Sequence, residues 1–255
     1  MTDDEVVARL IAGGLAGPHQ SHSEASNRRN AGMLATGDTD FTFGMAEVTS
    51  ASAEDALAAV AAVTGAAPGA EHIDPAATIA GIRAAAARLK AACRQQHRIF
   101  VATGHPTGLL VHHGRLVRAL ERAGASIVRP MDGQILYHHD GRALRLEYFG
   151  GVAALTDGAN VLHTHLPNAM EHVLEHVLAN GDGPEAPDLV FADHGFAGAA
   201  VARGVPAIAI MDTNDPALAV AAARGRGLLL IPMDDNRRPD AYGVVAELFE
   251  EELQA

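Results

Sequence analysis

Five apolar, strand-like runs of this chain end in residues able to hold a metal ion or move a proton. "FVATGHP" ends in Thr103, Gly104 and His105, "NVLHTHLP" carries His163 and His165, and "LVFADHG" ends in Asp193 and His194. "IAIMDTNDP" supplies Asp212, Asn214 and Asp215, and "LLLIPMDDN" adds Asp234 and Asp235 as weaker candidates. Imidazole nitrogens and carboxylate oxygens together form the donor set of a divalent metal, and imidazole is also the usual proton carrier near neutral pH. In an open parallel sheet, ligands bind at the carboxyl ends of the strands, where such residues would converge. Each has a plainer reading. Asp215 before Pro216 has the position of a helix N-cap, and His105-Pro106 could simply close a turn. His163 and His165, two apart, share one face of a strand; on an exposed edge they would only be solvated.

"EHVLEH" poses a separate question. His172, Glu175 and His176 match H-x-x-E-H, the inverted zinc-protease motif, and Glu247, Glu250 or Glu251 would have to supply the third ligand. Exposed i,i+4 pairs on a helix explain the same pattern, and that explanation is preferred. Other templates fail. Arg98 follows Cys93 one residue too soon for a tyrosine-phosphatase loop. G-x-S-x-G, a P-loop and a dinucleotide-type glycine loop are missing from the sequence.

The elements that must position these residues alternate from residue 98 onward. "RIFVATGHP", "ASIVRP", "NVLHTH", "DLVFADHG", "PAIAIMDTND" and "LLLIPMDD" read as strands, and the segments between them carry helical periodicity. "QILYHH", "ALRLEYFG" and "GVAALTD" read as short antiparallel strands with Gly-rich turns. Upstream, "DDEVVARLIAGG", "SAEDALAAVAAVTG" and "DPAATIAGIRAAAARLKAAC" read as helices, the last with Asp74 as cap and Pro75 at its first position. The polar stretch from Gly17 to Met45 reads as irregular. The expected fold class is α/β: a mostly parallel Rossmann-like sheet flanked by helices, with a small antiparallel insertion and a helical N-terminal cap. Residues 1–255 would form one domain, with 1–95 as the cap segment and 96–255 as the sheet core.

Bulk properties narrow the function classes. A formal net charge of −12 over 255 residues argues against nucleic acid or an anionic membrane as partner. Aromatics are only 4% of the chain, so small aliphatic side chains must fill the core. The lone Cys93 excludes an internal disulfide framework and a multi-cysteine zinc site. The acidic start "MTDDEVVARLIAGG" has no apolar run of signal-peptide length, and the expected location is the cytoplasm.

At "FVATGHPTGLL", "HTHLP", "LVFADHGFAG" and "DTNDPAL", and upstream at "NRRN", "LATGDTDFTFG" and "HIDPAATIAGI", the chain resembles a family of actinobacterial phosphatases over nearly its whole length. His172 and His176 depart from that family, which has no fixed histidine on this helix. The resemblance implies hydrolysis of a small phosphomonoester, such as a sugar or nucleoside phosphate. In that scheme the backbone N–H groups of Gly104 and His105, with Thr103, hold the phosphate at a helix start, and Arg28 or Arg29 supplies a cation. His163, His165, Asp193, Asp212 and Asn214 are the candidate ligands of a Mg, Mn or Zn ion. His194, Asp193, His105 and Asp215 are the catalytic candidates, with His194 protonating the leaving oxygen. The expected partner is a small phosphorylated metabolite, and a homodimer is allowed. Two alternatives use the same residues: a non-hydrolytic metal-dependent lyase or isomerase, and a ligand-binding regulator.

Overall fold

The computed structural model describes residues 1–179 and 183–254. The chain runs α1 (Asp3–Gly13), α2 (Glu24–Met33), α3 (Thr39–Thr42), α4 (Ala53–Thr64), α5 (Pro75–Arg94), β1 (Arg98–Val101), α6 (Pro106–Arg122) and β2 (Ser126–Ile127). It continues with β3 (Ile135–His139), β4 (Arg142–Phe149), β5 (Val152–Thr156), α7 (Asn168–Ala179), β6 (Leu189–Asp193), α8 (His194–Ala202), β7 (Ala207–Met211), α9 (Pro216–Ala223), β8 (Leu228–Pro232) and α10 (Gly243–Gln254). Asn180, read from the sequence as the end of the α7 helix, lies outside the described residues.

One sheet has the order β2-β1-β6-β7-β8 with every pairing parallel, and a second, β3-β4-β5, is antiparallel. Central strands alternate between two cores. Ile99 and Val101 face one with α5, α6 and α10, whereas Phe100 and Ala102 face the other with α4, α7, α8 and α9. Both faces of the parallel sheet are therefore buried, which is why its strands read as continuous apolar runs. The crossover after β1 goes one way, to β2, and those after β6 and β7 go the other. The order thus reverses between β1 and β6, and ligands of open parallel sheets bind outside the carboxyl ends at such a reversal.

The N-terminal segment does more than cap the sheet. α1 and α5 belong to one core, whereas α2 and α4 reach the other. In passing between faces, the chain crosses the ends of β7 and β8. Asp234 N donates to Leu15 O at 2.9 Å, Gly17 bridges Ile73, and Ser21 N donates to Glu71 O at 2.7 Å.

Two local expectations are corrected. "NVLHTH" is not a strand: Val161 forms an isolated bridge to Thr156, and residues 162–166 are irregular. Leu162 N donates to Leu155 O at 2.8 Å and Thr164 N to Gly104 O at 3.0 Å, so this segment is drawn off the β5 edge onto the β1 end. The polar stretch from Gly17 to Met45 also contains a full helix, α2, capped by Ser23. Its inward face carries Asn27 and Asn30 as well as Ala31, so hydrophobic periodicity could not reveal it.

Candidate active site

Asp193, fully buried at the end of β6, is the hub of the site. Its Oδ1 accepts from Gly104 N at 2.7 Å, and its Oδ2 accepts from Thr103 Oγ1 at 2.6 Å. His105 N in turn donates to Thr103 Oγ1 at 2.9 Å. Two imidazoles turn their Nδ1 atoms toward the same carboxylate: His194 at 3.3 Å and His105 at 3.8 Å. The opposite nitrogens face the remaining acids. His194 Nε2 lies 3.2 Å from Asp215 Oδ1 and 3.5 Å from Asp235 Oδ2, and His105 Nε2 lies 3.9 Å from Asp235 Oδ1. His165 closes the cluster, stacked on His194 at 4.4 Å with the rings nearly parallel. His163 lies at the exposed rim, its ring 4.0 Å from that of His105.

The backbone explains how these side chains are aimed. His194 has φ of 40°, a left-handed turn that a non-glycine residue seldom adopts, placed where β6 becomes α8. Gly195 and Gly198 then let other segments press onto α8. A Cβ at Gly195 would lie 2.3 Å from Leu166 O, and one at Gly198 would lie 2.2 Å from Phe43 O. Only glycine permits so close an approach. Phe43 thereby places its ring edge-on to His194 at 5.2 Å.

Electrostatics follow from this packing. Burial alone would raise the Asp193 carboxyl, but His105 and His194 prevail and hold it well below the usual carboxylate range. Burial opposes charge on His194, yet Asp215, Asp235 and Asp193 outweigh it and push that imidazole well above its ordinary value. Asp235 is driven well upward, first by burial and then by the neighbouring acids Asp215, Asp212 and Asp193. Desolvation and the adjacent rings lower His163 to about 4 and His165 to about 3.

The donor set fits a divalent metal. His105, His165 and His194 form one group of potential ligand atoms mutually within 4.8 Å, and His194, Asp215 and Asp235 form another. Asp235 Oδ2 is buried without a hydrogen-bond partner, and an orphaned carboxylate oxygen carries a desolvation cost that a coordinated cation relieves. Asp193 stands behind the two imidazoles, the position from which a carboxylate orients histidines that bind a metal.

A profile described as Phosphatase matches residues 1–251. The chain belongs to the Phosphatase family. Among the similar proteins of this phosphatase family is one from Streptomyces coelicolor that itself bears the name phosphatase. It is 35% identical over 240 residues, covering 91% of this chain and 87% of the relative. No solved structure matches the chain.

Several residues of this Phosphatase-family chain sit otherwise than their types suggested. The Gly104 N–H and the Thr103 hydroxyl serve the Asp193 carboxylate, and the His105 N–H serves Thr103, so all three donors are already engaged within the protein. Asp215 makes no side-chain cap to α9; its Oδ2 accepts from Asp212 N at 2.8 Å while Oδ1 faces His194. Arg28 is exposed and paired with Glu24 at 2.7 Å. Arg29, also exposed, donates to Asn30 Oδ1, and Asn30 Nδ2 reaches Asn214 O at 3.0 Å. The amide of buried Asn27 bonds to Ala70 O, and its oxygen accepts from Thr213 Oγ1.

The H-x-x-E-H residues do not gather. His172 Nδ1 lies 2.8 Å from Asn168 O, and Glu175 pairs with Arg203. Glu247, Glu250 and Glu251 are engaged by Arg9, Arg115 and the N-terminus. His19, Ser21 and His22 were missed by sequence reasoning, although "HQSHS" already pairs two histidines around a serine. They meet Asp212 and Asp234: His22 Nδ1 is 3.1 Å from Asp212 Oδ2, and Ser21 Oγ lies 2.6 Å and 2.7 Å from the Asp212 oxygens.

Proposed function

We propose that this phosphatase is a metal-dependent hydrolase of small phosphomonoesters, of the sugar or nucleoside phosphate class. One observation carries this reading: His105, His165, His194, Asp215 and Asp235 come from five separate segments and converge at the strand-order reversal. Either of two sets that share His194, His105 with His165 or Asp215 with Asp235, would hold the metal, which when bound supplies Lewis-acid neutralisation of the phosphoryl oxygens. His194 is better placed as a ligand than as a general acid, because Asp193 holds its Nδ1 side while its Nε2 faces two carboxylates. Asp193 is a positioning residue that orients both His105 and His194. His163, neutral at physiological pH and open to solvent, can accept a proton from the attacking water. Arg29, exposed and joined through Asn30 to the Asn214 carbonyl that follows β7, would serve as the cation for the incoming phosphate.

The test is phosphate release from p-nitrophenyl phosphate and a panel of sugar and nucleoside monophosphates. Release should stop after metal stripping with EDTA and return on adding Mn²⁺, Mg²⁺ or Zn²⁺. Undiminished turnover in stripped protein would remove the metal from the reading.

A further inference from the structure

The turn that joins β7 to α9 is held residue by residue from the segment 21–30. Ser21 Oγ lies 2.6 Å and 2.7 Å from the two carboxylate oxygens of Asp212. Thr213 Oγ1 donates to Asn27 Oδ1 at 3.3 Å, and Asn30 Nδ2 donates to Asn214 O at 3.0 Å. The fourth turn residue, Asp215, is the one that faces the site. Its Oδ1 lies 3.2 Å from His194 Nε2, and its Oδ2 accepts from Asp212 N at 2.8 Å. Within the turn, Asp215 N donates to Asp212 O at a long 3.3 Å.

Asn27 and Asn30 stand one helical turn apart on the inward face of α2, 1% and 8% exposed. The other end of each amide is engaged as well. Asn27 Nδ2 donates to Ala70 O at 2.9 Å, and Asn30 Oδ1 accepts from Arg29 Nη2 at 3.2 Å. A buried amide costs stability unless it is bonded, and an aliphatic side chain of similar size would stabilise a packed face more. Packing alone therefore does not call for asparagine at either position, whereas holding two adjacent turn residues does.

We propose that Asn27 and Asn30 are positioning residues that, with Ser21, clamp the 212–215 turn so that Asp215 stands opposite His194. This rests on the hydrolase reading above, with Asp215 in its site, and extends it to the part that α2 plays. Through Asn30 the same clamp joins Arg29 to the turn, so one amide fixes the proposed phosphate cation relative to the Asp215 carboxylate.

Three variants of the intact chain test the clamp: Asn27→Ala, Asn30→Ala and Thr213→Val, the last replacing only the hydroxyl that Asn27 accepts from. Steady-state kinetics on p-nitrophenyl phosphate with added Mn²⁺ give kcat and KM, with kcat counted per folded protein by circular dichroism. Hydrogen exchange of the Asp212 amide, followed by NMR, reads the seating of Asp215 without any turnover. Asn27→Ala and Thr213→Val should each lower kcat roughly tenfold or more, as for loss of a group behind a site residue, and leave KM within about threefold. Their combination should be no worse than Asn27→Ala alone, because both remove the same bond. Thr213→Ser, which keeps the hydroxyl, should keep kcat. Asn30→Ala should lower kcat and also raise KM, since it frees Arg29. In all three the Asp212 amide should exchange roughly tenfold faster or more, as for a locally opened turn. Unaltered Asp212 exchange in Thr213→Val and Asn30→Ala overturns the clamp. Faster exchange at full kcat overturns the positioning role and leaves a purely structural tie. Wild type that hydrolyses no phosphomonoester removes the hydrolase reading instead, and the clamp on Asp215 then stands or falls with the Asp212 amide.

Discussion

The two kinds of histidine in this chain differ in what lies behind the ring. Asp193 stands behind His105 and His194, whereas His172 has a helix carbonyl and Tyr137 beside it. His105→Ala or His194→Ala should therefore lower turnover about a hundredfold or more, as for loss of a ligand. His172→Ala with His176→Ala should stay within a few-fold, and steady-state kinetics decides between them. A third kind is purely internal. His112 and His113 on α6 are buried and share a 3.1 Å contact between their Nδ1 atoms. Burial pushes His113 down to about 4, with Asp193 partly offsetting it. Its folded value lies below the unfolded one, so the unfolded chain binds more protons between them. The resulting stability is complete above about pH 6.5 and is lost as pH falls toward 4, by on the order of 3 kcal/mol. Urea midpoints of metal-free protein at these two pH values should show that loss. His113→Asn, which keeps a polar group in place of Nδ1, should show less of it.

At the scale of elements, α8 is the part to perturb. Gly198 admits the Phe43 backbone, and a Cβ there would also lie 2.5 Å from Phe43 Cβ. Gly198→Ala should cost about 1–3 kcal/mol by overpacking, measured as a lowered denaturation midpoint, and should reduce turnover by moving Phe43 off His194. Gly104→Val belongs to the same class. Its Cβ would meet Thr164 O at 2.2 Å and Asp193 Oδ1 at 3.0 Å. The expected result is loss of folded protein rather than a selective rise in KM, because the Gly104 N–H holds Asp193 and not the substrate. Circular dichroism and KM separate these outcomes. The α5 start is an independent control: Asp74 Oδ1 accepts from Ala76 N at 2.9 Å, so Asp74→Ala should cost about 1 kcal/mol without touching catalysis.

For the whole molecule, net charge and site pull in opposite directions. The chain carries −12 overall, so the dianionic phosphomonoester proposed as substrate would be repelled at long range until the proposed metal and Arg29 attract it. Salt screens the long-range repulsion, over about 10 Å at 0.1 M, more than contacts at close range. Raising ionic strength from roughly 20 mM to 150 mM should thus lower KM for a charged substrate while leaving kcat nearly unchanged. A KM that rises steeply with salt would show that exposed cations such as Arg29 dominate the approach. Among the described residues, no helix is long and apolar enough to cross a membrane.

The sequence by itself determined the α/β class, the strand ends and most of the polar residues found there. Buried parallel strands are continuous apolar runs, and the first polar residue after each run marks its end. Asp193, His194, Asp215 and His105 were legible for that reason. Tertiary structure alone decided which of their atoms were already taken. Asp193 turned out to orient imidazoles, and Gly104 to serve a carboxylate, because both lie at the strand-order reversal, where β1 and β6 are neighbours 90 residues apart in the chain. His163 and His165 reached the site through an irregular segment rather than a strand, pinned by backbone bonds to β5 and Gly104. The crossing of His19, Ser21 and His22 over the β7 and β8 ends was not legible either. It depends on the N-terminal segment packing on both faces of the sheet, a contact between distant residues that leaves no local period in the sequence.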